Sequence, residues 1–198
     1  HHLCCIERKI EEGTGSFKTN LKLLYQQMKW LNHTLNEYAV AVDELASTER
    51  YKKQVDSLIC YNGIKNIFAM VMITEIGNIK RFEHPRQLSS WMGLDIREYS
   101  SGGKHHRFGI TKHGNRYLRT AFVESNQRVF RSKQIGQDLK SRRKTIAPEL
   151  VHIADRCQAR LSKKGMRLLH AGKHANKIKV ACAREMVGFV WESLNAVA

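Results

Sequence analysis

Acidic residues are scarce in this sequence. Its 198 residues include 18 Asp or Glu against 34 Lys or Arg, which gives a formal net charge of +16. An imbalance of this size in a short chain favours a polyanionic partner, with nucleic acid ahead of an anionic membrane surface. No apolar run approaches the ~20 residues that a membrane-spanning helix needs, so we expect no membrane partner.

The cysteines do not form the pattern of a disulfide framework or of a zinc site. There are five, an odd number; they include the adjacent pair Cys4 and Cys5, and none belongs to a C-x-x-C motif. Such usage is typical of a reducing compartment. We therefore predict a cytoplasmic protein whose thiols are buried or incidental.

Apolar residues recur at helical spacing through most of the chain, and no convincing alternation of apolar and polar residues occurs. The clearest repeat has spacings of three and four residues and comprises Leu21, Leu24, Met28, Leu31, Leu35, Tyr38, Val42 and Leu45. This seam is typical of a coiled coil, or of an amphipathic helix packed on its own domain, and the sequence leaves both alternatives open. We predict an all-α fold with an irregular segment over 1–18, a coiled-coil helix over 19–56 and a compact helical domain over 57–198.

Two short helices joined at Asn62-Gly63 are predicted between Val55 and Phe82. This arrangement is similar to a helix-hairpin-helix, in which backbone N–H groups hold a DNA phosphate. Asn62 and Lys65 stand where a good hairpin of this type has Pro and a second Gly. A purely structural turn is therefore favoured over a phosphate-binding one.

The segment from Arg97 to Arg119 combines many cations with glycines at 102, 103, 109 and 114. Glycine lets backbone approach a bulky anion closely, and cations neutralise phosphate. Thr111 or Asn115 is expected to cap the helix that follows, and the cations in its first turns call for a nearby anion. We predict phosphodiester chemistry on nucleic acid, with contacts from Arg97, Lys104, His105, Arg107, Lys112, Asn115, Arg116, Arg119 and, in a second basic turn, Lys173. The basic stretch from Gln134 to Thr145 is predicted to be an exposed connector or a turn facing nucleic acid.

Several ordered motifs carry a family resemblance. They are residues 69–82, Pro85-Arg86-Gln87-Leu88, Gly93-Leu94, residues 99–104, residues 109–119 and residues 183–191. Together they resemble the C-terminal half of insertion-sequence transposases of the one-hundred-and-ten family, which are DEDD-type, bridge-RNA-guided DNA recombinases. The resemblance extends from about Ser57 to Trp191, with the heptads upstream in the place of that family's interdomain coiled coil.

The resemblance implies a two-part enzyme. An N-terminal RuvC-like domain, whose four acids bind divalent metal, is joined through the coiled coil to a helical domain that supplies a nucleophilic serine. The position matching that serine is Ser101, with Ser100 as the fallback. DNA, a guide (bridge) RNA and a second copy of the chain, paired through residues 21–45, are the implied partners. We expect this chain to lack the RuvC-like domain, so that it holds no cofactor itself and Mg²⁺ belongs to the missing domain.

Two function classes follow from these observations. The first is the serine-bearing half of an RNA-guided transposase, which cuts and rejoins DNA through a phosphoserine intermediate. The second is a non-catalytic, helical module for nucleic-acid binding or dimerisation, in which Ser100 and Ser101 are only turn residues.

Overall fold

The computed structural model of the protein describes residues 2–101, 104–127 and 135–198. These ranges contain nine α-helices, one 3-10 helix and a two-stranded antiparallel sheet, so the predicted all-α class is confirmed. In this described part, every helix is too short or too polar to cross a bilayer. The chain divides into two compact units, residues 1–44 and 45–198, whereas the sequence predicts boundaries after residues 18 and 56.

The first unit is helical from its start. Helix α1 spans His2–Glu12, and helix α2 spans Gly15–Ala46, where the sequence predicts an irregular segment up to residue 18. Glu12 pairs with Arg8 at 3.8 Å and with Lys9 at 3.2 Å, the helix spacings at which opposite charges support each other. Glu7 joins the two helices, because it accepts a hydrogen bond from the Tyr25 hydroxyl and pairs with Lys29 at 3.5 Å.

Helix α2 carries the apolar seam and ends at Ala46 rather than at residue 56. Five of the eight seam side chains are exposed, among them Leu24 by 62%, Leu35 by 64% and Tyr38 by 68%, and the other three are half-buried. Leu23 and Trp30, which lie off the seam, are exposed to a similar degree. Exposure of the seam is what pairing with another helix requires, and the coiled coil itself stays a prediction.

The second unit is built around its last helix. Its elements are α3 (Glu49–Ile59), α4 (Asn66–Ile76), the 3-10 helix (Ile79–Arg81), α5 (Pro85–Trp91), β1 (Ile96–Ser101), β2 (Lys104–Ile110), α6 (Arg116–Ser125), α7 (Gln137–Arg143), α8 (Pro148–His170) and the last helix, α9 (Ala175–Ala196). Helix α9 packs against α3, α5, α6 and α8. It buries one apolar side chain or more in every turn, among them Ile178, Met186, Val187, Val190 and Leu194. Burial of this stripe supplies most of the driving force for packing.

The predicted junction of two short helices at Asn62-Gly63 is present between α3 and α4. Gly63 has a φ of +88°, and a Cβ added there would lie 2.0 Å from the carbonyl oxygen of Ser125. Only glycine fits this position, because the end of α6 lies against the turn.

Two arginines of α7 hold the same turn from its other side. Arg142 donates to the carbonyl oxygens of Ile59 and Ile64, both at 2.7 Å, and Arg143 donates to that of Cys60 at 2.8 Å. Their side chains are only 21% and 10% exposed, so the prediction of an exposed connector is wrong for these two residues. The turn contacts cations through its carbonyl groups, which favours the structural role over phosphate binding.

Candidate nucleic-acid interface

The end of α5 and the segment before α6 cross with their backbones in contact. The N–H groups of Asn115, Lys112 and Thr111 donate to the carbonyl oxygens of Trp91, Gly93 and Asp95 at 3.3, 3.0 and 2.8 Å, respectively. Lys112 has a φ of 58°, a left-handed conformation unusual for a residue with a side chain. These bonds fix the point at which the intervening residues leave and rejoin the helices.

The residues between the two sides of this crossing form a β-hairpin. Strands β1 and β2 are antiparallel, with Tyr99 opposite His106, Ser100 opposite His105 and Ser101 opposite Lys104. An irregularity in the pairing lies between Ile96 and Glu98. The sequence predicts a basic loop here, and the missed signal is two strand-like runs around Gly102-Gly103, a dipeptide common in tight hairpins.

The candidate nucleophiles lie at the last described residues of β1. The structure gives the backbone of Ser100 and Ser101, but it does not describe their side chains or those of Lys104, His105 and Arg107; Gly102 and Gly103 lie outside the described residues. The backbone register places Ser101 directly opposite Lys104. The candidate serine and a candidate cation thus share the pair nearest the hairpin tip.

Exposed aromatic side chains accompany the cations of the hairpin. Tyr99 is 66% exposed and Phe108 is 60% exposed, while Arg97 and His106 are exposed as well. Aromatic rings on a basic surface provide stacking platforms for unpaired bases. Neither ring is among the residues predicted from the sequence to contact nucleic acid, because the segment was predicted to be a glycine-rich loop rather than a hairpin.

At the start of α6, two of the residues predicted to contact nucleic acid form hydrogen bonds within the fold. Asn115 caps the helix, as predicted, since its Oδ1 accepts from the N–H of Leu118 at 2.9 Å, and its Nδ2 donates to Glu75. Arg119 donates to the carbonyl oxygen of Met92 at 2.9 Å and is half-buried. Glu75 thereby brings a carboxylate to the N-terminal end of α6, where negative charge is favourable.

The other predicted cations reach solvent. Lys112 and Arg116 are exposed beside the crossing and at the first turn of α6. Lys173 is exposed too, but it lies in the turn between α8 and α9 rather than in the segment between α5 and α6. The structure therefore places most candidates on one continuous stretch of chain and Lys173 on another.

Metal-ligating side chains do not cluster in the part of the chain that the structure describes: there, no three of His, Cys, Asp and Glu come together as ligands. A catalytic Mg²⁺ site takes carboxylate oxygens, and the described Asp and Glu side chains do not come together to supply them. We derive no step through a metal ion from them.

Residues 57–141 match the family model described as Transposase IS116/IS110/IS902 family. The chain is 36% identical over 137 residues to the putative transposase y4qE of Sinorhizobium fredii, a match that covers 69% of this chain and 35% of that protein. It is 29% identical over 128 residues to the transposase for insertion sequence element IS1111A of Coxiella burnetii, covering 65% and 34% of the two chains.

A third relative is the probable family 20 transposase of Pseudomonas aeruginosa, which is 32% identical over 89 residues, 45% of this chain and 26% of the relative. The chain thus spans about a third of the length of the first two relatives. The matched family segment contains α4, α5, the whole hairpin and α6. The chain is thus similar, through this segment, to part of the transposases of the IS116/IS110/IS902 family.

Proposed function

We propose that this chain is the serine-bearing, nucleic-acid-binding part of a transposase that cuts and rejoins DNA phosphodiesters through a phosphoserine intermediate. The observation that carries the proposal is the hairpin anchored between α5 and α6. In this hairpin β1 ends at Ser101, which is paired with Lys104, and exposed cations flank the two strands. The family match includes all of these residues.

The proposed reaction exchanges one phosphate ester for another. The serine oxygen bonds to phosphorus as it loses its proton, and the P–O bond to one deoxyribose breaks, with the leaving oxygen taking up a proton. A hydroxyl of a different DNA end then attacks the phosphoserine, which restores a phosphodiester and frees the serine. Negative charge develops on the phosphoryl oxygens in both steps, and nearby Lys or Arg stabilises it.

The candidate residues divide into two proposed roles. Arg97, Lys112 and Arg116, whose side chains are exposed, contact phosphates. The same role is proposed for Lys104, His105 and Arg107, which the backbone places on β2 and whose side chains the structure does not describe. Asn115 and Arg119 are positioning residues, because their polar atoms bind Leu118, Glu75 and Met92 within the fold. They hold the base of the hairpin at a fixed place on the helical unit.

The remaining parts of the proposal concern the whole protein. A RuvC-like domain supplies Mg²⁺ and the group that deprotonates the serine, so this chain alone binds nucleic acid without cutting it. A guide (bridge) RNA selects the DNA, and copies of the chain associate through residues 21–45 in the cytoplasm, at the nucleoid. The net charge of +16 and the exposed seam of α2 support the nucleic-acid and self-association elements.

A denaturing-gel assay for a covalent protein–DNA adduct tests the nucleophile. The full-length gene product is incubated with its adjacent non-coding RNA, Mg²⁺ and labelled element-end DNA, beside Ser100→Ala, Ser101→Ala and a control, Ser90→Ala, on the exposed face of α5. We expect an adduct in every sample except Ser101→Ala.

Two other results would change the proposal. An adduct lost only in Ser100→Ala would move the nucleophile by one residue. Tight nucleic-acid binding without an adduct in any sample would instead favour the non-catalytic binding module, for which Lys112→Ala and Arg116→Ala weaken binding and reduce its salt dependence.

A further inference from the structure

A second basic surface lies on α8 and α9, away in sequence from the hairpin. From Arg156 to Arg184 the sequence contains no acidic residue at all. The same stretch contains nine Lys or Arg: Arg156, Arg160, Lys163, Lys164, Arg167, Lys173, Lys177, Lys179 and Arg184. So long an interval of one sign of charge requires an explanation beyond solubility.

Five of these cations are aligned along α8. Arg156, Arg160, Lys163, Lys164 and Arg167 follow one another at intervals of four, three, one and three residues, so they lie along one broad side of the helix. Arg156 is paired with Glu192 of α9 at 2.8 Å. At 1.5 Å per residue the row is roughly 16 Å long. Arg160, Lys163, Lys164 and Arg167, with Glu185 of α9, line a groove of about 250 Å³.

Glu185 is the carboxylate that orders this groove. Its carboxylate oxygens form ion pairs with Lys164 Nζ at 2.9 Å and with Arg160 Nε at 3.2 Å. Burial would raise the pKa of Glu185, but the hydrogen bonds from Lys164 and Arg160 outweigh burial and hold the pKa below its ordinary value. One negative charge thus fixes two cations and neutralises only part of their charge.

The basic surface continues beyond this groove. Lys164 and Glu185 also line a second cavity of about 470 Å³, whose lining includes Arg86, Asp95 and Arg184. Cations from α5, α8 and α9 therefore lie around two depressions that share Lys164 and Glu185.

We infer that this α8–α9 surface binds the sugar-phosphate backbone of a DNA duplex. A straight row of cations on a rigid helix matches the closely spaced charges of a duplex, and phosphate contacts of this kind position a protein without reading sequence. The side chains described as lining the α8 groove include no aromatic ring, so the groove offers none of the stacking platforms that suit single strands. The hairpin, with exposed Tyr99 and Phe108, differs from it in this respect.

Binding of DNA to this surface does not depend on which serine, if any, is the nucleophile. Its place on the DNA that flanks the reacting phosphate rests on the proposed function, in which the hairpin approaches that phosphate. Lys173 is exposed in the turn that joins α8 and α9 and is not among the residues that line the groove.

The salt dependence of binding to a 30-base-pair DNA duplex tests the inference. Arg160→Gln, Lys163→Gln and Arg167→Gln are combined in one groove variant of the 198-residue chain. The matched control removes the same charge from exposed Lys22, Lys53 and Lys80. Loss of three phosphate contacts should lower the slope of log K against log salt by about 2 to 3, so that wild-type affinity falls roughly 40-fold more than that of the groove variant between 50 and 200 mM salt.

The charge-retaining variant Arg160→Lys/Arg167→Lys should keep the wild-type slope, which separates loss of charge from loss of folding. Equal slopes for wild type and groove variant would overturn the inference. An equal fall in the control would also overturn it, since net charge rather than this surface would then be responsible. If the groove variant loses affinity for an RNA hairpin while its DNA binding is unchanged, the surface is assigned to the wrong nucleic acid.

Discussion

The carbonyl oxygen of Trp91 occupies the space in which a side chain on Gly114 would begin, since a Cβ added there would lie 2.0 Å from it. Gly93 makes the reciprocal contact: a Cβ added there would lie 2.1 Å from the carbonyl oxygen of His113, the residue before Gly114. Gly114 and Gly93 also have positive φ values, of 110° and 71°. The crossing of α5 with the segment before α6 thus depends on two glycines.

Replacing Gly114 by alanine should therefore destabilise the second unit strongly. The added methyl group meets rigid backbone rather than a movable side chain, and the left-handed conformation is itself strained for alanine. We expect the free energy of unfolding to fall by about 3 kcal/mol or more. Urea denaturation followed by circular dichroism measures this change.

Gly77→Ala provides the matched control. Gly77 has a φ of +63°, but no atom lies within 4 Å of an added Cβ, so only conformational strain remains. Because its ψ of −126° makes this conformation accessible mainly to glycine, a loss of about 1 to 2 kcal/mol is expected, still smaller than at position 114. Similar losses at positions 77 and 114 would show that the backbone contact with Trp91 is unimportant.

Asn115→Ala should destabilise α6 by about 1 to 2 kcal/mol, because the helix loses its cap and Glu75 loses a donor. Asn115→Asp keeps an acceptor for the N–H of Leu118 but places a second carboxylate beside Glu75. Its stability relative to wild type should therefore improve as the pH falls from 7, because protonation of the introduced carboxyl group removes the repulsion. Denaturation at pH 7 and near pH 4 compares the two variants; a deficit of the aspartate variant independent of pH would contradict this explanation.

Arg142→Ala should cost about 2 to 3 kcal/mol, since the carbonyl oxygens of Ile59 and Ile64 lose a shared, charged donor. Lys140 lies on the same helix but is exposed, so Lys140→Ala should stay within about 0.5 kcal/mol of wild type. Thermal and urea unfolding of both variants test the difference. If Arg142→Ala weakens nucleic-acid binding at unchanged stability, the arginine faces the ligand rather than the turn.

The five thiols should divide into two reactivity classes. Cys4 and Cys5 are exposed, whereas Cys60, Cys157 and Cys182 are buried. Burial raises the pKa of Cys60 to about 12 and that of Cys182 to about 11, and it raises the pKa of Cys157 as well. A disulfide reagent at pH 8 should therefore titrate two thiols quickly and three only after unfolding.

The same pKa shifts predict a loss of stability at high pH. A thiol whose pKa is raised by folding contributes its full stability below its unfolded value of 9.0, and loses it as the pH rises towards the folded value of about 11 to 12. Urea midpoints should be constant up to about pH 9 and fall above it. Cys60→Ala is the control, because it removes one of the titrating groups.

Self-association through α2 should depend on seam position rather than on hydrophobicity alone. Leu24 and Leu23 are adjacent and exposed by 62% and 58%, but only Leu24 belongs to the seam. Leu24→Gln, alone or with Leu35→Gln, should shift sedimentation equilibrium towards monomer, and Leu23→Gln should not. Equal behaviour of Leu23→Gln and Leu24→Gln would argue for an amphipathic helix without a heptad interface.

The sequence predicted the helices of the second unit well because their apolar stripes reflect one buried face. The turn at Asn62-Gly63 and the cap at Asn115 were also predictable, since both follow from local backbone requirements. The hairpin was missed because its strands pair only with each other and have exposed Arg97, Tyr99 and Phe108, so the only signal is their composition around Gly102-Gly103, without an apolar alternation.

Long-range contacts explain the other differences. Arg142 and Arg143 lie in a run of basic residues typical of an exposed segment, yet each binds carbonyl groups roughly eighty residues earlier. Nothing local indicates such a partner. The row of cations on α8 was visible in the sequence, but its significance depends on α9, which brings Glu185 and Arg184 beside it.

The hairpin leaves and rejoins the helical unit at one backbone crossing. The packing of the helices therefore does not depend on the length of the hairpin. Residues inserted between Ser101 and Lys104 should leave the backbone bonds of the crossing and the cap of α6 in place, because neither involves residues 101–104. Closing a slightly longer loop costs little conformational entropy. Hairpins of different length and composition are therefore interchangeable on one helical scaffold, so that the reach towards a substrate can change while the core sequence does not.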